Sequence, residues 1–109
     1  MRFFEARPGE KYYNPVKKFS SYFLSFSDGA RLELMQVPGI IRGNEDTGQP
    51  ITGLTHFALS TGSKEKVDAL TATIRAAGYT VLGEPRWTGD GYYESVVADP
   101  DNNHIEITI

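Results

Sequence analysis

The sequence contains no cysteine and only two histidines. The absence of cysteine excludes a disulfide scaffold, a cysteine-ligated zinc site and a cysteine nucleophile. No apolar run approaches the ~18 residues that a membrane-spanning helix needs, and Met1 to Phe4 is too short to open a signal peptide. We therefore expect a cytoplasmic protein that has no membrane partner.

Positive charge is also scarce. Eleven Lys and Arg residues stand against 14 Asp and Glu, which gives a net charge of -3, and the basic residues are scattered. Such a chain has no basic patch that would bind nucleic acid or an anionic membrane surface. Its 109 residues suit one domain of ordinary size.

The clearest predicted element is a helix over residues 63–77. Ser63 is a suitable N-cap, and Gly78 stands where a C-terminal glycine belongs. Between them, four apolar residues recur at helical spacing: Val67, Leu70, Ile74 and Ala77.

Strands are predicted on both sides of this helix by alternation and β-rich composition. They cover residues 54–61, 79–82, 92–98 and 104–109, so the second half reads β-α-β-β-β. The first half holds strands at 19–27 and 30–37, with a third, short strand at 11–14. Residues 38–53, rich in Gly and Pro, read as a linker.

The last hairpins of the two halves resemble each other, which indicates an internal repeat. Tyr22, Asp28 and Glu33 match Tyr93, Asp101 and Glu106, and each Glu follows its turn Asp by five residues. Chance similarity between two hairpins is the alternative. The repeat predicts an α+β fold of paired βαβββ modules: an incomplete module at 1–37, the linker at 38–53 and a complete module at 54–109. The first module lacks its opening strand and most of its helix.

Three residues on polar strand faces are candidates for chemistry. Residues two apart in a strand share a face, so Glu106 lies opposite the apolar face of Ile105 and Ile107. His56 and Glu33 occupy similar faces of their own strands. Taken singly, each is most simply a solvated surface residue. Together, His56, Glu106 and Glu33 offer nitrogen and oxygen ligands that suit a divalent metal such as Zn²⁺, Ni²⁺, Co²⁺ or Mn²⁺.

Two stretches carry a resemblance to a known family. Residues 54–59 (LTHFAL) resemble the histidine-bearing opening strand of a vicinal-oxygen-chelate, or glyoxalase-like, module. Residues 99–107 (DPDNNHIEI) look like the closing Asp-Pro-Asp-Gly-Asn-x-Ile-Glu signature of that superfamily. Residues 21–34 are similar to the end of the first module in lactoylglutathione-lyase-like members.

The resemblance implies a metal bound by Glu33 from the first module and by His56 and Glu106 from the second. The metal would be Zn or Ni, although some relatives use none. In glyoxalase I each module supplies a His and a Glu, and the first-module His has no counterpart in this chain. His104 occupies the variable slot of the signature, and we do not assign it to the missing place. The resemblance also implies a homodimer, because modules of this superfamily pair.

The implied reaction is the glyoxalase I type, in which a 2-oxoaldehyde–thiol adduct isomerises through an enediolate. Glu106 or Glu33 would move the proton as the catalytic base. Aromatic residues could line the pocket, although packing is the simpler explanation for each: Tyr22, Tyr92, Tyr93 and Trp87.

Three other functions stay open. One is a drug-binding protein of the bleomycin-resistance type, which works without a metal. Another is a different vicinal-oxygen-chelate enzyme, such as a dioxygenase. A structural or regulatory subunit is the third.

Overall fold

The computed structural model describes residues 2–40 and 53–109, and most of the predicted linker lies outside these ranges. The chain divides into two compact units, Met1–Gly43 and Asn44–Ile109. Among the described residues there are eight strands in two sheets and one helix. The predicted α+β class is therefore confirmed.

The first unit is a four-stranded sheet built around a central strand. Its strands are β1 (Arg7–Pro8), β2 (Tyr12–Asn14), β3 (Phe19–Ser25) and β4 (Arg31–Gln36). Strand β3 pairs with β4 along one edge. Along its other edge it pairs with β2 near its start and with β1 near its end, and all these pairs are antiparallel. The strand β1 was not predicted from the sequence. Residues 2–4 form a turn, and no helix occurs within residues 2–40.

The second unit has the βαβββ order that the sequence predicts. Its elements are β5 (His56–Ser60), α1 (Lys64–Ala76), β6 (Val81–Trp87), β7 (Tyr93–Ala98) and β8 (His104–Thr108). The sheet order is β5-β8-β7-β6. Strand β5 runs parallel to β8, and the other pairs are antiparallel.

Helix α1 begins and ends where its capping residues indicate. The Ser63 side chain accepts a hydrogen bond from the Lys66 backbone N–H, and Gly78 has a φ of 91°. The buried face carries Val67, Thr71 and Ile74. Thr71 lies among the buried residues of the helix although its side chain is polar. No helix in the described parts of the chain is long and apolar enough to cross a membrane.

The predicted strand at 79–82 was wrong in both position and length. The structure has β6 running from Val81 to Trp87, through Gly83 and Pro85. Glycine and proline are residue types that usually weaken or interrupt strands. The register of β6 against β7 shifts on both sides of Gly83. Pro85 is tolerated because β6 is an edge strand, where a missing backbone N–H costs little.

The hairpin repeat is present, but its register differs from the predicted one. Five residues separate Ser25 from its partner Arg31, and five separate Ala98 from His104. Superposing these turns places Tyr22 on Ser95, because Tyr22 lies opposite Leu34 and Ser95 lies opposite Ile107. The match of Tyr22 with Tyr93 was therefore wrong by two residues. The match of Glu33 with Glu106 agrees with this superposition.

The two faces of the second sheet differ sharply. One face packs under α1 and buries the odd-numbered residues of β7 and β8: Tyr93, Ser95, Val97, Ile105 and Ile107. Ile107 is fully buried, and such a side chain contributes about 1.5–3 kcal/mol by leaving water. The even-numbered residues lie on the other face, which we call the open face.

Candidate functional site

The open face of the second unit brings two of the three predicted ligands together. Nε2 of His56 on β5 lies 3.2 Å from Oε1 of Glu106 on β8. The side chain of His56 is 45% exposed and that of Glu106 is 24% exposed. The pair can therefore meet solvent or a ligand, while its backbone belongs to two paired strands.

The other ring nitrogen of His56 also has a partner. The Thr55 hydroxyl lies 3.0 Å from Nδ1 of His56. A partner at the second nitrogen restricts rotation of the ring, which is also what outer partners do for metal-binding histidines. Sequence reasoning missed Thr55, because a threonine beside a histidine has no distinctive spacing.

A second carboxyl group lies beside Glu106. Glu94 on β7 lies diagonally across from Glu106 in the pairing of β7 with β8. Partial burial raises the pKa of Glu94, and the neighbouring Glu106 carboxylate raises it further, while Arg86 acts in the opposite direction. Burial and the Glu106 carboxylate thus both favour the protonated form of Glu94.

The strand register explains this neighbourhood. Val96 lies opposite Glu106, and Glu94 lies opposite Thr108, so Glu94 and Glu106 are diagonal neighbours on one face. Arg86 lies opposite Glu94 on β6. Sequence analysis did not find Glu94, because the candidate ligands came from the repeat and from stretches that resemble the family, and neither includes residue 94. Alternation along β7 could have found it, because Glu94 is the charged residue between two buried ones.

His104 also lies on the open face, directly opposite His56 in the pairing of β5 with β8. It is half-buried. Nε2 of His56 nevertheless contacts Glu106.

Glu33 lies on β4 of the first unit, opposite Phe23, and is half-buried. Its role as a third ligand stays a prediction. Within residues 53–109, no third His, Asp or Glu joins His56 and Glu106 in a group that could hold a metal. Glu94, although a diagonal neighbour of Glu106, does not complete such a group.

The aromatic candidates divide into two groups. Tyr93 is 6% exposed, and its hydroxyl donates to Oδ1 of Asp68 on α1 at 2.5 Å. The ring centroids of Tyr93 and Trp87 lie 5.2 Å apart in an edge-to-face arrangement. Tyr93 thus packs on the helix side, away from the open face. Trp87, Tyr92 and Tyr22 are more than 40% exposed.

Comparison with known proteins identifies the family. A model of the Glyoxalase/Bleomycin resistance protein/Dioxygenase superfamily matches residues 2–107. The chain belongs to this superfamily. The predicted resemblance is therefore confirmed over almost the whole chain.

One curated protein of similar sequence is itself described as uncharacterised. It is protein YqjT of Bacillus subtilis (strain 168), which is 40% identical over 58 residues. That match covers 50% of this chain and 45% of YqjT. This chain therefore spans less than half the length of the curated relative that it matches.

Solved structures of the superfamily confirm the fold. A glyoxylase/bleomycin resistance protein/dioxygenase domain from Frankia sp. EAN1pec has a TM-score of 0.77 at 18% identity, covering 98% of this chain and 80% of that one. A glyoxalase family protein from Enterococcus faecalis has a TM-score of 0.74 at 18% sequence identity, and the match covers 98% of this chain and 80% of that one. Glyoxalase I from Zea mays has a TM-score of 0.74 at 23% sequence identity, and the match covers 97% of this chain and 36% of the maize protein.

Proposed function

We propose that this superfamily member is a metal-dependent lyase or isomerase of the glyoxalase I type. Its substrate class would be a 2-oxoaldehyde–thiol adduct. The observation that supports the proposal is the pair formed by His56 Nε2 and Glu106 Oε1, 3.2 Å apart on the open face, with Nδ1 of His56 held by Thr55.

The donor set fits a divalent metal of the Zn²⁺ or Ni²⁺ type, because it combines an imidazole nitrogen with carboxylate oxygen. In this proposal His56 and Glu106 hold the metal from the second unit. Glu33 is the third ligand, by its equivalence to Glu106 in the repeat. When bound, the metal would supply positive charge beside two adjacent substrate oxygens.

The proposed proton transfer uses the carboxylates of the chain. Glu106 or Glu33 accepts a proton from one substrate carbon and returns it to the neighbouring carbon. Glu106 suits this task because it is 24% exposed, so it can reach a ligand while its hydrogen-bond partners fix its position. Thr55 orients His56 and so keeps Nε2 directed towards Glu106.

A drug-binding role of the bleomycin-resistance type is the second candidate. The observation in its favour is that His56 and Glu106 already satisfy each other. In that case the open face would bind an organic ligand, and a divalent metal would not be needed.

The test combines metal analysis with activity. The purified protein should bind one divalent metal per chain, and Glu106→Gln should weaken that binding strongly because a neutral amide is a poorer ligand. The metal-loaded protein should isomerise the adduct of methylglyoxal and glutathione or another thiol. A wild-type protein without metal affinity would overturn the proposal. Metal binding without activity would remove the substrate class alone.

The cytoplasmic location and the homodimer stay predictions. Within the described part of the first unit, β4 pairs with β3 alone, so its other edge forms no pairing in that sheet. An unpaired edge is costly to leave open. Sedimentation analysis should show a dimer, and a monomer at all concentrations would contradict this expectation.

A further inference from the structure

We infer that Ser21 is a positioning residue for Glu33, whose carboxylate accepts a hydrogen bond from the buried Ser21 hydroxyl when it binds the metal. This inference rests on the proposed function, because it takes Glu33 as the ligand from the first unit. The geometry behind it concerns the first unit alone, since Ser21 and Glu33 lie on paired strands of one sheet.

The Ser21 side chain is buried without a partner. It is 2% exposed, and its Oγ forms no hydrogen bond among the residues that the structure describes. The buried hydroxyl of Ser95 shows the usual outcome, since it lies 2.7 Å from that of Thr71. A hydroxyl that has left water without gaining a partner destabilises a fold, so such a group calls for a reason, and a functional contact is one.

Larger side chains surround Ser21 on its face of the sheet. Tyr12 on β2 and Met35 on β4 are its direct cross-strand neighbours, and Phe19 and Phe23 are next on the same face of β3. Tyr12 and Met35 are more than half exposed. The hydroxyl therefore lies at the base of these side chains, where another residue of the same face can supply a partner.

Glu33 is the acidic residue of β4 on this face. It lies opposite Phe23, which makes it a diagonal neighbour of Ser21, at a separation of about 7–8 Å that a long side chain can span. Its carboxylate forms no ion pair within residues 2–40 and 53–109. Arg31, two residues away on the same face, lies over the Phe23 ring at 5.0 Å instead. A rotation of the Glu33 side chain would give the Ser21 hydroxyl a charged acceptor, which makes a stronger hydrogen bond than a neutral one.

A second polar residue diagonal to Ser21 is already engaged. Asn14 on β2 lies opposite Phe19, and its Oδ1 accepts hydrogen bonds from the backbone N–H groups of Val16 and Lys17. Glu33 is therefore the better partner. A carboxylate has two oxygens, so one can bind the metal while the other accepts from Ser21. Outer partners of this kind orient metal ligands, and their loss costs about 10–100-fold in metal affinity.

Ser21→Ala tests the inference first in the metal-free protein. Its midpoint of denaturant unfolding should equal or exceed that of the wild type, because the hydroxyl has no partner to lose. A clear drop in the midpoint would show that Ser21 already bonds within the fold, and that result would overturn the inference whether or not the protein binds a metal.

Calorimetric titration with Zn²⁺ is the second measurement. Ser21→Ala should bind Zn²⁺ about 10–100-fold more weakly than the wild type. Ser20→Ala is the matched control, because it removes a half-buried hydroxyl from the opposite face of β3, and it should bind Zn²⁺ as the wild type does. An unchanged affinity in Ser21→Ala would overturn the inference and leave the proposed function intact.

A double-mutant cycle shows whether Ser21 acts through Glu33. In the Glu33→Gln background, Ser21→Ala should weaken Zn²⁺ binding little further, because the ligand that the hydroxyl positions is gone. An equal fold-loss in both backgrounds would overturn the inference. A wild type without Zn²⁺ affinity would overturn the proposed function and this inference together.

Discussion

His56 lies directly opposite His104 in the parallel pairing of β5 with β8, yet its Nε2 contacts Glu106, two residues further along, at 3.2 Å. The two histidines of the chain therefore differ in their setting. Only His56 has its Nδ1 held by a neighbouring hydroxyl, among the contacts seen in residues 53–109.

The first prediction separates these two histidines. His56→Gln should abolish measurable divalent metal binding, because it removes a proposed ligand. His104→Gln should leave the affinity nearly unchanged. Calorimetric titration with Zn²⁺ measures both. A comparable loss in the two variants would make His104 a ligand and contradict the assignment.

The second prediction concerns Thr55. Thr55→Val keeps the shape of the side chain but removes the hydroxyl that holds Nδ1 of His56. Metal affinity should fall about 10–100-fold, as it does when an outer partner is lost. Thr55→Ser should retain the wild-type affinity. Thr73→Val is the matched control, since the hydroxyl of Thr73 bonds only to Ala69 within α1 among the contacts described. An affinity in Thr55→Val equal to that of the control would contradict the orienting role.

The third prediction concerns stability at the helix–sheet interface. The hydroxyls of Thr71 and Ser95 lie 2.7 Å apart in the buried interface, and Thr71 also donates to the Val67 carbonyl. Thr71→Val leaves the Ser95 hydroxyl without this partner, and we expect a loss of about 1–3 kcal/mol in the free energy of unfolding.

Denaturant unfolding measures this loss. Ser95→Ala should lower the free energy of unfolding by less than Thr71→Val does, because the Thr71 hydroxyl keeps its backbone acceptor. The double variant should be more stable than the sum of the single losses implies. Strict additivity would show that the two hydroxyls are not coupled.

The fourth prediction is a pH dependence of stability. The hydrogen bond from Tyr93, and then that from Lys64, lowers the pKa of Asp68 from its ordinary value of 3.8. A carboxyl group whose pKa is lower in the folded state than in the unfolded state stabilises the fold fully above its unfolded-state pKa. This stabilisation is lost as the pH falls through the folded-state pKa. The free energy of unfolding should therefore decline below about pH 4, and Asp68→Asn should flatten this decline.

Urea unfolding between pH 2 and 7, taken as roughly the range over which carboxyl groups titrate, measures the effect. Tyr93→Phe should flatten the acid limb as well, since it removes the main cause of the shift. Glu65→Gln removes another carboxylate from the same helix and should leave the acid limb in place. If the free energy of unfolding declines in acid as steeply in Asp68→Asn as in the wild type, groups other than Asp68 cause the decline.

The sequence predicted the second unit well for physical reasons. Ser63 and Gly78 are strong local signals for the ends of α1, and the alternation around Ile105 and Ile107 fixes the buried face of β8. The strand β6 was misplaced because Gly83 and Pro85 are turn residues that an edge strand tolerates. The strand β1 was missed because two residues carry no periodicity.

The candidate site was only partly predictable. His56 and Glu106 were found because they match family positions, and the structure brings them together. The positions of Thr55 beside His56 and of Glu94 near Glu106 depend on rotamers and on the register between strands. A one-dimensional pattern does not contain either quantity. The mismatch of Tyr22 with Tyr93 has the same origin, because register was inferred from residue similarity alone.

The alternation along β8 has a consequence for how such a protein can change its chemistry. The odd positions hold the core and the even positions lie on the open face, so we expect substitutions at 104, 106 and 108 to cost little in folding. A slip of one residue in the register of β8 against β7 would exchange the two sets together. The strand therefore tolerates replacement of its open-face residues, whereas its register is tightly constrained.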